Sequence, residues 1–156
     1  MKNQSLWNHG FNQLCVVIRM VLEQITHFFE KSFEEFKKGD KELVIEYKCY
    51  YTVKPWGIIR INNREFKLDD INVVKELYRD FTDKIAFYIG NYVLNKIKQR
   101  NSKAVDWRFD EDIGDNIDVL DENDEIIESV KYCDIDYFNC VGFERETITF
   151  YPLSKL

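Results

Sequence analysis

Thirteen carboxylates stand between Asp106 and Asp136, against two cations, Arg108 and Lys131. They are Asp106, Asp110, Glu111, Asp112, Asp115, Asp118, Asp121, Glu122, Asp124, Glu125, Glu128, Asp134 and Asp136. Carboxylates at this density can hold a hard divalent cation, share a proton for acid/base work, or offer a negative field to a basic partner. An EF-hand loop needs acidic or amide ligands at its first, third and fifth positions and glycine at the sixth. Counted from Asp110, Asp112 falls third but Gly114 falls fifth, so the register fails. No spacing marks two carboxylates as an acid/base pair.

The field is the strongest of the three. Residues 1–105 carry 18 Lys and Arg against 13 Asp and Glu, a net of +5, and residues 137–156 balance at two each. The 31 residues from 106 to 136 carry −11, so nearly all of the formal charge of −6 comes from one segment. Trp107, Phe109, Ile113, Ile117, Val119, Ile126, Ile127 and Val130 interleave with the acids. A disordered acidic tail lacks such residues, and an ordered surface is expected instead. Uncompensated like charge costs stability, which a basic partner relieves.

The expectation is therefore a non-enzymatic interaction protein whose acidic face binds and inhibits a basic protein partner such as a nuclease or toxin. Immunity proteins and phage-encoded inhibitors are of this type. The residues assigned to that face are Asp110, Glu111, Asp112, Asp115, Asp118, Asp121, Glu122, Asp124, Glu125 and Glu128, together with Trp107. Two alternatives belong to other classes. One is a small metal-dependent or carboxylate-using hydrolase drawing on residues 110–128; the other is a secretion-chaperone-like adaptor that binds through apolar helix faces. The plainest reading is a solvated face, or one turned toward the basic residues of 1–105.

Other chemistry is sparse. There is no P-loop, G-x-G-x-x-G, G-x-S-x-G or H-E-x-x-H pattern. Glu23, His27 and Glu30 share a helical face, but the Glu-x-x-His pair of carboxylate-bridged bundles would need an acid where Gln24 stands. The phenylalanines 28, 29, 33 and 36 read as core rather than a cofactor box. No cofactor and no metal are expected. Cys15, Cys49, Cys133 and Cys140 include no C-x-x-C pair and lie in apolar surroundings, which suits reduced thiols in a cytoplasmic protein. Lys96, Lys98, Arg100 and Lys103 form a basic cluster, and Lys54, Arg60, Arg64 and Lys67 surround Trp56. A nucleic-acid binder is usually basic overall; the acidic third opposes that role. The longest early apolar run, Leu14 to Ile18, stops at Arg19, far short of a membrane span of about 20 residues.

The elements that must position these groups follow from periodicity. Phe11, Leu14, Ile18, Val21, Ile25 and Phe28 recur with gaps of three and four, predicting one helix across 11–36 that stops at Gly39. Ile71, Val74, Tyr78, Phe81, Ile85, Tyr88 and Tyr92 predict a second, capped by Asp69 or Asp70, with Thr82 or Gly90 as a place for a break. The helices can pair within the monomer or across a homodimer. Between them, 43–53, 57–61 and 64–68 read as strands, with Asn62-Asn63 as a tight hairpin turn. Strand-like runs follow at 105–109, 117–120, 125–130, 132–138 and 147–151. At 156 residues and 45% hydrophobic composition the chain suits a single domain over 1–156. The fold class expected is α+β: two long amphipathic helices packed on an antiparallel sheet in the order α-β-β-β-α-β-β-β-β.

Overall fold

Two helices organise the chain. The computed structural model describes residues 2–112 and 114–156, with side chains described from Arg19 onward. Helix α1 runs Lys2–Lys37, and Gly39, at φ +99°, supplies the left-handed stop expected of it. Ile25, Phe29, Phe33 and Phe36 are its buried line, with Val21 and Phe28 alongside. The side chains of Phe11, Leu14 and Ile18, with which the predicted stripe begins, lie outside the described residues, as does that of Cys15.

Helix α2, Ile71–Lys98, starts where Asp70 accepts the backbone N–H groups of Asn72 and Val73. It runs unbroken through both positions considered for a break. Thr82 turns its hydroxyl back to the Tyr78 carbonyl at 2.8 Å, and Gly90 is buried under the Trp107 ring. The helices pair within the monomer: Phe29 stacks on Phe81 at 4.1 Å between centroids, and Phe33 meets Tyr88 edge-on at 5.6 Å. Such aromatic pairs add about 0.5–1.5 kcal/mol each beyond the area they bury.

Strands β1 (Leu43–Tyr50), β2 (Trp56–Ile61) and β3 (Arg64–Leu68) lie between the helices, followed after α2 by β4 (Asp106–Phe109), β5 (Asn116–Leu120), β6 (Ile126–Lys131), β7 (Cys133–Cys140) and β8 (Phe143–Phe150). Five strands, not four, follow α2, and they do not form one sheet. Strands β7 and β8 return to the first hairpin, giving an antiparallel sheet in the order β3-β2-β1-β8-β7, while β4-β5-β6 make a separate antiparallel sheet. Tyr132, the single residue between β6 and β7, is the corner. Its N–H goes to the Asp115 carbonyl beside the small sheet, and its own carbonyl accepts from Tyr151, just past the end of β8. A buried aromatic ring and two backbone bonds at one residue pin the crossing between sheets.

The predicted hairpin turn forms at Asn62-Asn63. Asn62 adopts φ 53° and ties its side chain to the Val44 amide at 3.0 Å. Along β1 the odd residues Leu43, Ile45, Tyr47 and Cys49 face the helices and are buried. The even residues form a second face that no described element covers. Glu46 is buried there nonetheless. Burial pushes its carboxyl up, but hydrogen bonds from Arg60 and Thr147, with Lys48 nearby, outweigh that and hold it below the usual carboxylate range. Helix α2 meets the large sheet on one side and, through Gly90 and Trp107, the small sheet on another, so the buried side chains of all three join one core.

Candidate functional site

The carboxylates of the acidic segment do not gather on one face. In an antiparallel meander successive connections lie at opposite ends. Residues 110–115 join β4 to β5 at one end of the small sheet, and 121–125 join β5 to β6 at the other. Five-residue β5 separates the two ends by about 13 Å. At the first end the Asp110 carboxylate accepts the Asp112 amide at 2.9 Å, and Lys131 reaches both Asp115 (3.7 Å) and Asp134 (2.9 Å). At the second, Asp121 accepts the amides of Asn123 (2.8 Å) and Glu125 (3.0 Å), fixing the turn from which Glu122, Asp124 and Glu125 project. Among the described residues Glu111, Asp112, Glu122, Asp124 and Glu125 are exposed and have no ion pair.

Four of the expected site residues are placed differently. Asp118, at the middle of the central strand between Arg108 and Ser129, is only 3% exposed and accepts the Ser129 hydroxyl at 2.6 Å. Trp107 lies against Gly90 and donates its ring N–H to Asn91 at 2.9 Å, so it locks the small sheet to α2 rather than facing outward. Glu128 is paired with Arg100 and Asp115 with Lys131. The protein's own cations and its core thus withdraw these four from the expected face.

A second surface stands at the free edge of the large sheet. Strand β7 is its last strand, and seven of its eight residues, all but Cys133, are exposed. Ile135 and Tyr137 project on the helix side, Asp134, Asp136 and Phe138 on the open side. The hairpin ends at Val141, fully exposed at 104%, and Gly142, whose φ of +81° the turn requires. Tyr51 donates its N–H to the Gly142 carbonyl at 2.9 Å, which brings the loop carrying Tyr51 and Val53 beside that tip. Six of the large apolar side chains left exposed, Tyr51, Val53, Ile135, Tyr137, Phe138 and Val141, therefore share one edge and tip. On the open side Phe138, Phe143, Tyr50 and Trp56 carry the apolar strip inward, Tyr50 stacking on Trp56 at 4.3 Å.

Behind that edge is a groove. One stripe of α2, Lys75, Tyr78, Arg79 and Thr82, forms one wall; Tyr47 and Glu146 close a cavity of about 360 Å³. Register places Tyr47, Glu146 and Tyr137 side by side on β1, β8 and β7. Glu144, two residues before Glu146 and on the same face, is fully engaged: by Lys75 at 2.6 Å, Tyr51 at 2.9 Å and Tyr137 at 3.0 Å. The ammonium of Lys75 also lies 6.0 Å from the Tyr47 ring centre and 5.8 Å from that of Tyr51. Burial raises the Glu144 carboxyl, yet these three hydrogen bonds prevail and hold it low. Glu146 goes the other way. Burial and then the charge of Glu144 push its carboxyl up, against a hydrogen bond with Tyr78 and the charge of Lys75. Among the described residues it has no ion pair, and neither does Arg79.

Nothing in the acidic segment pointed to these residues. The usable signal was period-two spacing: Glu144 and Glu146 share a face with Ile148 and Phe150, so two acids had to sit at the rim of a core face. Among the described residues no group of three or more His, Cys, Asp and Glu is placed to hold a metal ion, and no helix is long and apolar enough to cross a membrane. Burial raises the thiols of Cys49, to about 11, and Cys133, to about 12, so neither is a nucleophile at neutral pH. No family model, curated protein or solved structure matches the chain.

Proposed function

We propose that this chain is a non-enzymatic interaction protein that binds and blocks a basic protein partner, and that it does so by accepting an extended partner segment along β7. The observation that supports this reading is the edge itself: an eight-residue last strand whose outward backbone groups, on alternate residues, no described strand pairs, flanked by exposed Ile135, Tyr137 and Phe138. An exposed, apolar edge strand is a template for strand addition. Main-chain hydrogen bonds supply affinity there, and side chains on alternate positions supply specificity.

Charge selects the occupant. Strand β7 carries Asp134 and Asp136 and no cation of its own; both acids stay exposed, each beside a single neighbouring cation, Lys131 at 2.9 Å and Arg145 at 3.3 Å. A second copy of β7 laid along the first would add only more carboxylates to the same ribbon, and like charges facing each other across strands are destabilising. A partner strand bearing lysine or arginine removes that cost. The unpaired acids at the two ends of the small sheet then act at longer range, speeding encounter with a basic surface and weakening as salt is added.

The test is a displayed library of random decapeptides selected on the intact protein. Enriched peptides alternate lysine or arginine with apolar residues, and a bound representative slows amide exchange in 133–140. Reversing the edge charges in Asp134→Lys with Asp136→Lys weakens that peptide at least tenfold. Enrichment of acidic or uncharged peptides, or protection elsewhere with β7 unchanged, would overturn the reading.

A further inference from the structure

Resting on the strand-addition reading, we infer that the groove behind β7 is a cation pocket, which takes a lysine or arginine side chain of the added strand and pairs it with Glu146. Three observations converge on it. First, the neighbouring carboxylate shows the chemistry already in use. Glu144 holds the Lys75 ammonium, with the rings of Tyr47 and Tyr51 close by. An ammonium within about 6 Å of aromatic rings and beside a carboxylate is a favoured arrangement. Glu146, one step along the same face, has the tyrosines 47, 78 and 137 about it and lines an open cavity of about 360 Å³, but lacks the cation.

Second, the geometry of strand addition delivers one. A strand paired to β7 lies two strand spacings from β8, roughly 10 Å. Its residue opposite Tyr137 projects on the helix side, in the row of Tyr137, Glu146 and Tyr47. A long basic side chain lying over the Tyr137 ring ends near Glu146.

Third, the half-buried acid is in need of such a partner. Burial and the adjacent Glu144 disfavour its charge, and an arriving ammonium or guanidinium restores it. Other charges that face the cavity are Lys75, already committed to Glu144, and Arg79 on the α2 wall. Neither comes within ion-pairing distance of Glu146 in the described structure. Arg79 makes a rival occupant concrete: an anion bound at the α2 side.

The probe is a single capped residue, Nα-acetyl-lysine N-methylamide, titrated into the intact protein and followed by backbone amide shifts. Saturable shifts are expected at Tyr47, Tyr78, Arg79, Thr82 and Glu146. The norleucine counterpart, which keeps the shape and loses the charge, should bind at least tenfold more weakly, and so should capped lysine to Glu146→Gln. Equal binding of norleucine, indifference to Glu146→Gln, or saturable shifts with acetate in place of lysine would overturn the pocket. The two proposals fail separately. The Asp134→Lys, Asp136→Lys variant should lose the decapeptide while keeping capped lysine. A decapeptide that protects β7 but ignores Glu146→Gln refutes the pocket and leaves strand addition standing.

Discussion

Replacing Gly90 with alanine sets two effects of opposite sign against each other. In an exposed helix interior the change gains about 1 kcal/mol from helix propensity. Here the added Cβ would lie under 3.0 Å from three atoms of the Trp107 ring, so either the ring or the helix must give. The ring is tied by its hydrogen bond to Asn91 at 2.9 Å and by edge-on contacts with Phe87 (5.5 Å) and Phe109 (4.9 Å). Losing the bond costs about 1 kcal/mol, and disturbing the two aromatic contacts costs about 0.5–1.5 kcal/mol each. Set against the propensity gain, the net is a destabilisation of about 1–3 kcal/mol, a fall in Tm of several degrees for a chain of this size. Urea unfolding at fixed pH measures it directly. The decisive comparison is a cycle with Trp107→Leu, in whose background Gly90→Ala should turn stabilising because the obstructing ring is gone. Stabilisation by Gly90→Ala in the wild-type background would refute the idea that this residue docks the small sheet onto α2.

Glutamates 144 and 146 should respond oppositely to replacement and to pH. The Glu144 carboxyl is held low, so its contribution is present above the unfolded value near 4.5 and is lost as pH falls through the folded one. Glu144→Gln also strands the Lys75 ammonium and should cost about 1–3 kcal/mol at pH 7, measured by urea unfolding. The Glu146 carboxyl is raised, so its ionisation opposes folding as pH rises through its folded value; Glu146→Gln should be neutral or stabilising at pH 7 and near neutral at pH 4. Asp70→Ala, which removes the acceptor for the Asn72 and Val73 amides, should cost about 1 kcal/mol by the same assay. In native protein Cys140, exposed on the edge strand, should react with a thiol reagent while Cys49 and Cys133 resist until unfolding, as peptide mass mapping would show.

Local chemistry accounts for the parts of the fold that the sequence announced. A run of apolar side chains at gaps of three and four needs only its own helix to be read, and so α2 was legible, with its cap narrowed to Asp69 or Asp70. Asn62-Asn63 and Gly39 were legible because few residues tolerate positive φ. Division into two sheets was not, because it depends on a corner at Tyr132 that is chemically an ordinary aromatic in an ordinary strand. That division also undid the single acidic face. Charge can be counted along a chain, but which end of a meander it occupies depends on pairing between strands. Asp118 looked like its neighbours in sequence and is buried because β5 became the central strand. The β7 edge and the groove behind it depend on which strand lies last in the order, a tertiary fact: Cys133, Ile135 and Tyr137 alternate with Asp134 and Asp136 as in a strand with one buried face, yet of these only Cys133 is buried.

The proposed function rests on β7 being an open edge that a basic strand completes. Backbone amide exchange across 133–140, measured with and without a selected basic decapeptide, tests it most directly. Alternate amides of this strand should exchange fast in the free protein and slow at least tenfold when the peptide binds, while 64–68 at the opposite edge stay unchanged. Slow exchange at every amide of β7 in the free monomer, or protection by the peptide at 64–68 instead, would contradict it.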